Sequence, residues 1–235
     1  MFTESAHIYD AIYASLHDFP AEADKLCTFI TQHTQTLGNT LLDVACGTGA
    51  YLVPLSRHYV VEGLDLDPDM LEVAARKLPG VPLHRADMVD FNLGRRFDVV
   101  LCLGSSIGYA RTAPRMRKAI QRLARHVLPG GVVVVEPWFG PNVWQIGRVH
   151  GLYVDQPNLK IARMSISGSD RNISILDFHY LVATSDGVTH STEHHELGLF
   201  THDEYLAAFR ETGLDVAYDN AGLTGRGLYL GIAQP

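Results

Sequence analysis

Two observations predict a doubly wound α/β fold with a late antiparallel β insertion. Over the first 137 residues, short apolar runs alternate with amphipathic stretches, as in a parallel sheet that helices cover on both faces. Beyond Pro137, apolar and polar residues alternate with period two, which is typical of half-exposed antiparallel strands. With 235 residues, 46% of them hydrophobic, the chain is long enough to bury a sizeable core.

The first unit, residues 1–137, is expected to contain an N-terminal lid helix and the main ligand-binding core. Its strands are predicted at 40–45, 60–66, 82–87, 97–104 and 131–137. Its remaining helices are predicted at about 21–36, 49–57, 68–77 and 113–127. The last helix is followed by Pro-Gly-Gly, which is a stop signal.

Residues 138–200 are predicted to form the antiparallel insertion, with three strands separated by tight turns at "GSDRN" and "SDGV". Residues 201–235 are expected to return to the main sheet through a helix at about 202–212 and two strands, "LDVAYDN" and "GLYLGIA". The insertion offers an edge or a face to a second copy of the chain, so a homodimer is one expectation.

The composition argues against several classes of function. A formal net charge of -7 disfavours a nucleic-acid partner, because such binding surfaces are usually basic. The N-terminus carries early acidic residues, and no apolar run approaches the roughly 20 residues that span a bilayer. Three widely spaced cysteines predict free buried thiols. A cytoplasmic protein without membrane or nucleic-acid partners is therefore expected.

The stretch "LLDVACGTGAYL" at 41–52 places a Gly-x-Gly between a strand and a helix, where backbone N–H groups can approach a ligand. Leu52 stands where a dinucleotide loop has its third glycine, and no Gly-Lys-Ser/Thr follows as in a Walker loop. Asp43 precedes the first glycine by four residues, and its charge would repel a pyrophosphate by on the order of a kcal/mol. The loop therefore favours a cationic ligand.

Three acids, Asp43, Asp65 and Asp87, lie at the ends of successive predicted strands, and the carboxyl ends of parallel strands meet at one edge of a sheet. Asp65 is expected to accept hydrogen bonds from both ribose hydroxyls, and Asp87 from an adenine amino group. Asp67 and Asp69 are expected to cap the next helix. The acids describe a positively charged nucleoside, for which S-adenosylmethionine fits better than NAD.

The stretches "LLDVACGTG", "GLDLDPDML", "HRADMVDF" and "LPGGVVVVEP" resemble the successive motifs of class I S-adenosylmethionine-dependent methyltransferases, which have a Rossmann-like fold. The resemblance covers residues from about 38 to 137 and implies that S-adenosylmethionine is the cofactor. The cofactor contacts it implies are Tyr13, Asp43, Ala45, Cys46, Gly47, Gly49, Asp65, Leu66, Met70, Ala86, Asp87, Met88 and Leu103.

A further resemblance extends over nearly the whole chain. "YDAIY", "SSIGY", "VVVVEPW" and "GLTGRGLYLGIA" are similar to stretches of the N,N-dimethyltransferases that act on TDP-linked amino sugars in macrolide biosynthesis. Such chemistry holds an amine in line with the reacting methyl group and needs a polar group beside the nitrogen. The candidate catalytic residues are Tyr109 and Tyr9. The candidate substrate contacts are Tyr9, Ser105, Ser106, Tyr109, Trp138 and Arg226, with Arg226 facing the diphosphate.

Other interpretations stay open. Tyr9 and Tyr13, four residues apart, equally suit one packed helical face, and Trp138 equally suits a plug in the core. The acceptor can instead be another small amine, a hydroxyl or a carbon nucleophile. A protein that binds S-adenosylmethionine without catalysis is the alternative from outside the enzymes.

The histidine-rich stretch "HSTEHHE" at 190–196 raises the question of a metal site. On a strand, His190, His194 and Glu196 would share one face. A polar sheet face is the favoured interpretation, and no metal is predicted.

Overall fold

The computed structural model describes residues 5–235, which form two β-sheets and the helices around them. The helices are α1 (Ala6–Tyr13), α2 (Phe19–His33), α3 (Leu52–Leu55), α4 (Pro68–Lys77), α5 (Ala113–Arg125) and α6 (His202–Arg210), and Ser106–Ala110 is a 3₁₀ helix. The strands are β1 (Thr40–Val44), β2 (Val60–Asp65), β3 (Leu83–Arg85), β4 (Phe97–Cys102), β5 (Val127–Val135), β6 (Val149–Gln156), β7 (Leu159–Asp170), β8 (Ile173–Thr184), β9 (Gly187–Gly198), β10 (Asp215–Asp219) and β11 (Leu228–Ile232).

The main sheet has seven strands in the order β10-β11-β5-β4-β1-β2-β3. Strands β1 to β5 are parallel, and β11 runs antiparallel to both of its neighbours. The chain order changes direction at β1, which lies between β2 and β4. In an open α/β sheet, this change creates a crevice at the carboxyl ends of the strands, where ligands bind.

The central strands are apolar because helices cover them on both faces. Val132, Val133, Val134 and Val135 of β5 are completely buried, and β1 and β4 are almost as inaccessible. Each fully buried side chain of this size contributes about 1.5–3 kcal/mol relative to an exposed one. These strands are therefore the fixed base from which the residues at their carboxyl ends project.

Several predicted elements are shorter in the structure. The predicted helix at 49–57 contains only the single turn of α3. The predicted strand at 97–104 ends at Cys102, because Gly104 and Ser105 take up left-handed conformations with φ of 60° and 59°. The predicted strand at 82–87 pairs with β2 only over Leu83–Arg85. No helix within residues 5–235 has both the length and the apolar character needed to cross a membrane.

The second sheet has four antiparallel strands, in the order β6-β7-β8-β9, instead of the three predicted. The additional strand, β6, lies at the edge of the sheet, and only Val154 within it is buried. Because most of its residues are exposed, its sequence "VHGLYVDQ" carries little period-two signal. The strand is paired along its whole length with β7.

Helix α1 connects the two sheets. Ile8 and Ile12 pack into the apolar cluster of the second sheet. Asp10 accepts a hydrogen bond of 2.6 Å from the Thr48 hydroxyl, in the loop after β1, and another of 2.6 Å from Lys77 of α4. The helix is therefore held over the glycine-containing loop from both sides.

Candidate active site

The loop after β1 has the backbone of a ligand-binding turn. Gly47 and Gly49 have φ values of 53° and 72°, which glycine adopts at little cost. A Cβ atom on Gly49 would lie 2.8 Å from Leu78 Cδ1, whereas a Cβ on Gly47 would meet no atom within 4 Å. Ala45 also has a positive φ of 62°, and such strain in a non-glycine residue is found mainly at functional sites. The loop is open on the side of Gly47.

Two acids lie beside this loop, the buried Asp43 and the half-buried Asp65. Asp43 is 2% exposed, and its Oδ1 has no hydrogen-bond partner among the described residues. Burial and the nearby charge of Asp65 raise the pKa of Asp43 to about 8. Burial also raises the pKa of Asp65. Within residues 5–235, no lysine or arginine forms an ion pair with either acid, so a cationic ligand would relieve an uncompensated cost of burial.

Asp65 connects the end of β2 to the loop. It accepts hydrogen bonds from the N–H groups of Gly47, at 2.8 Å, and Asp67, at 2.9 Å. A carboxylate has about four acceptor positions, so these contacts leave acceptor capacity for ligand hydroxyls. Asp67 caps α4 as expected, accepting from the N–H groups of Asp69 and Met70, whereas Asp69 lies in the first turn.

Asp87 is less available than Asp43 and Asp65. Its Oδ1 accepts from the Val89 N–H at 3.1 Å, and its Oδ2 from Arg115 at 3.0 Å. Both oxygens of this half-exposed acid therefore already have a partner. Of the other predicted cofactor contacts, Leu66 is exposed, Cys46, Met70 and Leu103 are buried, and Ala86 and Met88 are half-buried.

Three phenol side chains cluster on the other side of the cleft. The rings of Tyr9 and Tyr13 stack with their centroids 4.2 Å apart. Burial raises the pKa of Tyr9, and the nearby Tyr13, Asp10 and Asp65 raise it further. Burial likewise raises the pKa of Tyr109, and Tyr13 and Tyr9 add to the effect. The structure thus brings the predicted tyrosines together near Asp65, as neutral phenols.

Ser105, Ser106 and Trp138 were predicted to contact the substrate. Ser105 is 1% exposed, and its hydroxyl donates to the Pro137 carbonyl at 2.7 Å. Ser106 is half-buried at the start of the 3₁₀ helix. The Trp138 indole donates to the Ser174 hydroxyl of β8 at 2.8 Å. Ser105 therefore secures the turn after β4, and Trp138 connects the two sheets.

Arg226 lies at the carboxyl end of β5. Its Nη2 is 3.6 Å from Oε1 of the fully buried Glu136, which also accepts from the Thr224 hydroxyl at 2.6 Å and the Gly104 N–H at 2.9 Å. The positive charge of Arg226 opposes the effect of burial on the pKa of Tyr13. Arg226 is thus close to the phenol cluster, but its guanidinium also has an internal carboxylate partner.

Comparison with known proteins assigns the family. The model of the methyltransferase domain matches residues 41–131. Over 232 residues, the chain is 41% identical to the dTDP-3-amino-3,6-dideoxy-alpha-D-glucopyranose N,N-dimethyltransferase of Streptomyces fradiae. That match covers 97% of this chain and 91% of the relative. The chain belongs to the family of the TDP-amino-sugar N,N-dimethyltransferases.

Solved structures confirm the predicted fold of this methyltransferase. The structure of DesVI from Streptomyces venezuelae matches with a TM-score of 0.93 and 39% identity, covering 97% of this chain and 98% of DesVI. The structure of S-adenosylmethionine-bound CalS10, an amino pentose methyltransferase from Micromonospora echinaspora, matches with a TM-score of 0.88 and 36% identity, covering 97% of each chain. The protein is therefore an α/β enzyme of the S-adenosylmethionine-dependent methyltransferase class.

Sequence reasoning missed three charged or polar residues of this methyltransferase, all on the inner face of the second sheet. His195 lies 2.8 Å from the Tyr109 hydroxyl, and Glu193 lies beside it on β9. Arg163 of β7 lies over the Tyr13 ring, 5.6 Å from its centroid, and has no carboxylate within ion-pair distance among residues 5–235. Leu197 is buried and lies two and four positions after His195 and Glu193, so all three side chains point to the same face of the strand. The apolar Leu197 was the sign in the sequence that this face points inward.

The histidines considered for a metal site lie on the opposite face of β9. His194 is 2.6 Å from Asp177 and 3.4 Å from Glu196. His190 stacks on His179. Within the described part of the chain, no group of three potential ligands is arranged to hold a metal ion.

Proposed function

We propose that the enzyme transfers methyl groups from S-adenosylmethionine to the amino group of a TDP-linked amino sugar, twice on one nitrogen. One observation carries the proposal: the likeness to a relative named for this activity extends over 97% of the chain. It includes the second sheet and the C-terminal strands, which lie outside the family domain at 41–131. The second sheet supplies Arg163 and His195 beside the phenol cluster, and Arg226 lies just before β11.

The proposed cofactor contacts begin with Asp43 and Asp65. Their carboxyl groups, which form no ion pair with a lysine or arginine within residues 5–235, suit the ammonium group and the ribose hydroxyls of S-adenosylmethionine. When bound, the cofactor supplies a methyl group that its sulfonium makes electrophilic. The remaining proposed contacts are Tyr13, Ala45, Cys46, Gly47, Gly49, Leu66, Met70, Ala86, Asp87, Met88 and Leu103.

Tyr9 and Tyr109 are the proposed catalytic residues at the acceptor amine. Because their pKa values are raised, both are neutral phenols near neutral pH and act as hydrogen-bonding groups. Holding the nitrogen about 3 Å from the reacting carbon supplies much of the rate in such a displacement. Ser105, Ser106 and Trp138 shape the surrounding wall, with Ser106 the more accessible serine.

The diphosphate is proposed to bind at Arg226, with Arg163, which lies over the Tyr13 ring, as a second positive charge. Both guanidiniums act on the pKa of Tyr13, which indicates that they approach the same space. The Arg226 Nε is buried without a hydrogen-bond partner among the described residues, as is one Nη of Arg163. Guanidinium groups are suited to phosphate oxygens, which can accept two hydrogen bonds from one fork.

The enzyme is also proposed to be a homodimer that acts in the cytoplasm. The outer face of the second sheet exposes a set of apolar side chains, namely Val149, Tyr153, Met164, Ile166, Leu181 and Val188. Apolar patches of this kind on a sheet mark protein interfaces. The three cysteines are free thiols, which fits a reducing compartment.

The test is a methyl-transfer assay with purified enzyme, S-adenosylmethionine and a panel of TDP-linked amino sugars, read by mass spectrometry. We expect one and then two added methyl groups on the amine. The matched controls are the TDP sugar with a hydroxyl in place of the amine, and the free amino sugar without its nucleotide. Equal transfer to the free amine would favour another small-molecule acceptor. Cofactor binding without transfer to any amine would favour a binding protein.

A further inference from the structure

The Tyr109 hydroxyl is the first member of a buried chain of polar groups that crosses to the second sheet. It lies 2.8 Å from Nδ1 of His195, whose side chain is 1% exposed. Nε2 of His195 lies 3.5 Å from Oε2 of Glu193. Glu193 in turn accepts hydrogen bonds from the Ser5 N–H, at 2.9 Å, and the Ser5 hydroxyl, at 2.7 Å. Four residues from three separate parts of the chain are thus connected.

The charges in this chain are defined by its burial and contacts. Burial alone would raise the pKa of Glu193, but hydrogen bonds from His195 and Ser5 outweigh it and hold the pKa below its ordinary value. Burial lowers the pKa of His195, and the opposing effect of Glu193 is smaller. Near neutral pH, Glu193 is therefore a carboxylate and His195 a neutral imidazole.

These charges assign the direction of each hydrogen bond. A carboxylate can only accept, so the Glu193 oxygen 3.5 Å from Nε2 favours the tautomer that carries the single N–H of the neutral His195 ring at Nε2. In this tautomer Nδ1 is an acceptor, and the Tyr109 hydroxyl, 2.8 Å away, donates its hydrogen to it. The ring is held in this orientation by the edge of Phe178, with the centroids 5.0 Å apart. The Tyr109 oxygen is left with lone pairs and no free hydrogen.

We propose that His195 is a positioning residue for methyl transfer, which holds the Tyr109 hydroxyl as a pure hydrogen-bond acceptor toward the substrate amine. The proposal rests on the proposed function. A phenol that donated its hydrogen to the amine would occupy the nitrogen lone pair, which must be free to form the new bond to carbon. Because His195 accepts that hydrogen, Tyr109 can only accept one from the amine, and the lone pair remains available.

The same arrangement serves both methylations. A primary amine and its monomethylated product each retain an N–H that can donate to Tyr109, whereas the neutral dimethylated amine has none. Each transfer breaks the bond between sulfur and the methyl carbon and first gives an ammonium ion, which releases one proton to solvent. His195 therefore orients the nitrogen twice, and the interaction is lost once the dimethylated ammonium ion has released its proton. Ser5 and Glu193 support the ring from the N-terminal side of α1.

The first test compares His195→Phe, which removes the acceptor, with His195→Gln, which can return an acceptor oxygen. For His195→Phe we expect kcat to fall roughly 10- to 100-fold in both methylation steps, with little change in KM for the cofactor. His195→Gln is expected to recover part of the loss. His194→Phe is the matched control, because that ring is adjacent in sequence, lies on the outer face and pairs with Asp177. Equal effects at His194 and His195, or no effect at His195, would overturn the proposal.

A double-mutant cycle separates positioning from a structural role. If His195 acts only through the Tyr109 hydroxyl, then His195→Gln should change kcat in the wild-type background and have no further effect in a Tyr109→Phe background. Independent, additive losses would contradict the proposal. Circular dichroism and cofactor affinity verify that each variant is folded. Failure of the wild-type enzyme to methylate any TDP-linked amino sugar would instead count against the proposed function.

Discussion

The two walls of the cleft differ in charge and in the way they are assembled. The wall beside the glycine loop carries the buried Asp43 and the half-buried Asp65, at the ends of two adjacent strands of one sheet. The opposite wall carries neutral phenols from α1 and the 3₁₀ helix, and guanidiniums from the second sheet and from the loop before β11. An acidic wall, whose carboxyl groups ionise beside a positive charge, suits a cationic cofactor, and a neutral to cationic wall suits an amine joined to a diphosphate. Under the proposed function, each of the two ligands would therefore meet the wall of complementary charge.

The largest expected effect on ligand binding is on the acidic wall. Asp65→Ala should weaken cofactor binding by more than about 1 kcal/mol, on the order of 10-fold in Kd, because it removes charge-assisted hydrogen bonds. Asp65→Asn, which keeps one acceptor oxygen, should lose less. Isothermal titration calorimetry with S-adenosylmethionine measures both variants, and Asp69→Ala, in the first turn of α4, is the matched control. An unchanged dissociation constant for Asp65→Ala would refute its assignment to the ribose.

A smaller effect is expected on the opposite wall. Arg226→Ala should raise KM for the TDP-linked amino sugar by about 5- to 10-fold. The effect is moderate because the Arg226 guanidinium also interacts with the Glu136 carboxylate, which reduces the attraction it offers to a phosphate. KM for the cofactor should not change. Arg171→Ala, in the turn between β7 and β8, is the control. If KM for the nucleotide sugar rises no more than KM for the free amino sugar, Arg226 does not bind the diphosphate.

The same contrast explains how much could be predicted from the sequence. Asp43 and Asp65 lie at the ends of consecutive strands, so local patterns and the rules of parallel sheets were sufficient to bring them together. The opposite wall depends on pairings between distant residues: Tyr109 and His195 are 86 positions apart, and Ser5 and Glu193 are 188 positions apart. No local pattern contains such contacts.

Two details of that wall show the physical limit of the sequence patterns. The contact of Ser105 with the substrate stays a prediction, whereas the hydrogen bond from its hydroxyl to the Pro137 carbonyl, made from a left-handed backbone, was not predicted. The additional strand β6 was missed because an exposed edge strand needs little apolar alternation once β7 provides its hydrogen bonds. In both places the determining interaction is with a residue that the local sequence does not specify.

A third prediction uses the raised pKa of Asp43. Folding raises this pKa from its ordinary value of 3.8 to about 8, so the folded state favours the protonated acid. The stabilisation that Asp43 contributes is then fully present at pH values below its pKa in the unfolded chain. It is lost as the pH rises through its pKa in the folded protein. Asp43→Asn should therefore gain thermal stability relative to the cofactor-free wild type as pH increases from about 5 to about 8, by about 5 °C. Scanning fluorimetry measures the melting temperatures of the variant and the wild type across this pH range. A difference in melting temperature that does not change with pH would contradict the prediction.

The smallest expected effect on catalysis lies on the outer face of the second sheet. Ile166 is 61% exposed and pairs with the exposed Val149, whereas Arg163 and His195 occupy the inner face. Ile166→Lys should convert a dimer to a monomer, because a lysine cannot be buried in an apolar interface without a partner, and single-turnover methyl transfer should stay unchanged.

Light scattering coupled to size-exclusion chromatography measures the mass of each species. Val60→Lys is the matched control, since Val60 is 60% exposed at the start of β2 in the main sheet. A wild-type monomer, or an Ile166→Lys variant that remains dimeric, would contradict the interface. If dissociation also abolished transfer, the inner and outer faces of this sheet would be coupled, and the cleft would need its second copy to hold the phenol cluster in place. Unchanged transfer in the monomer would show that one chain contains the complete site.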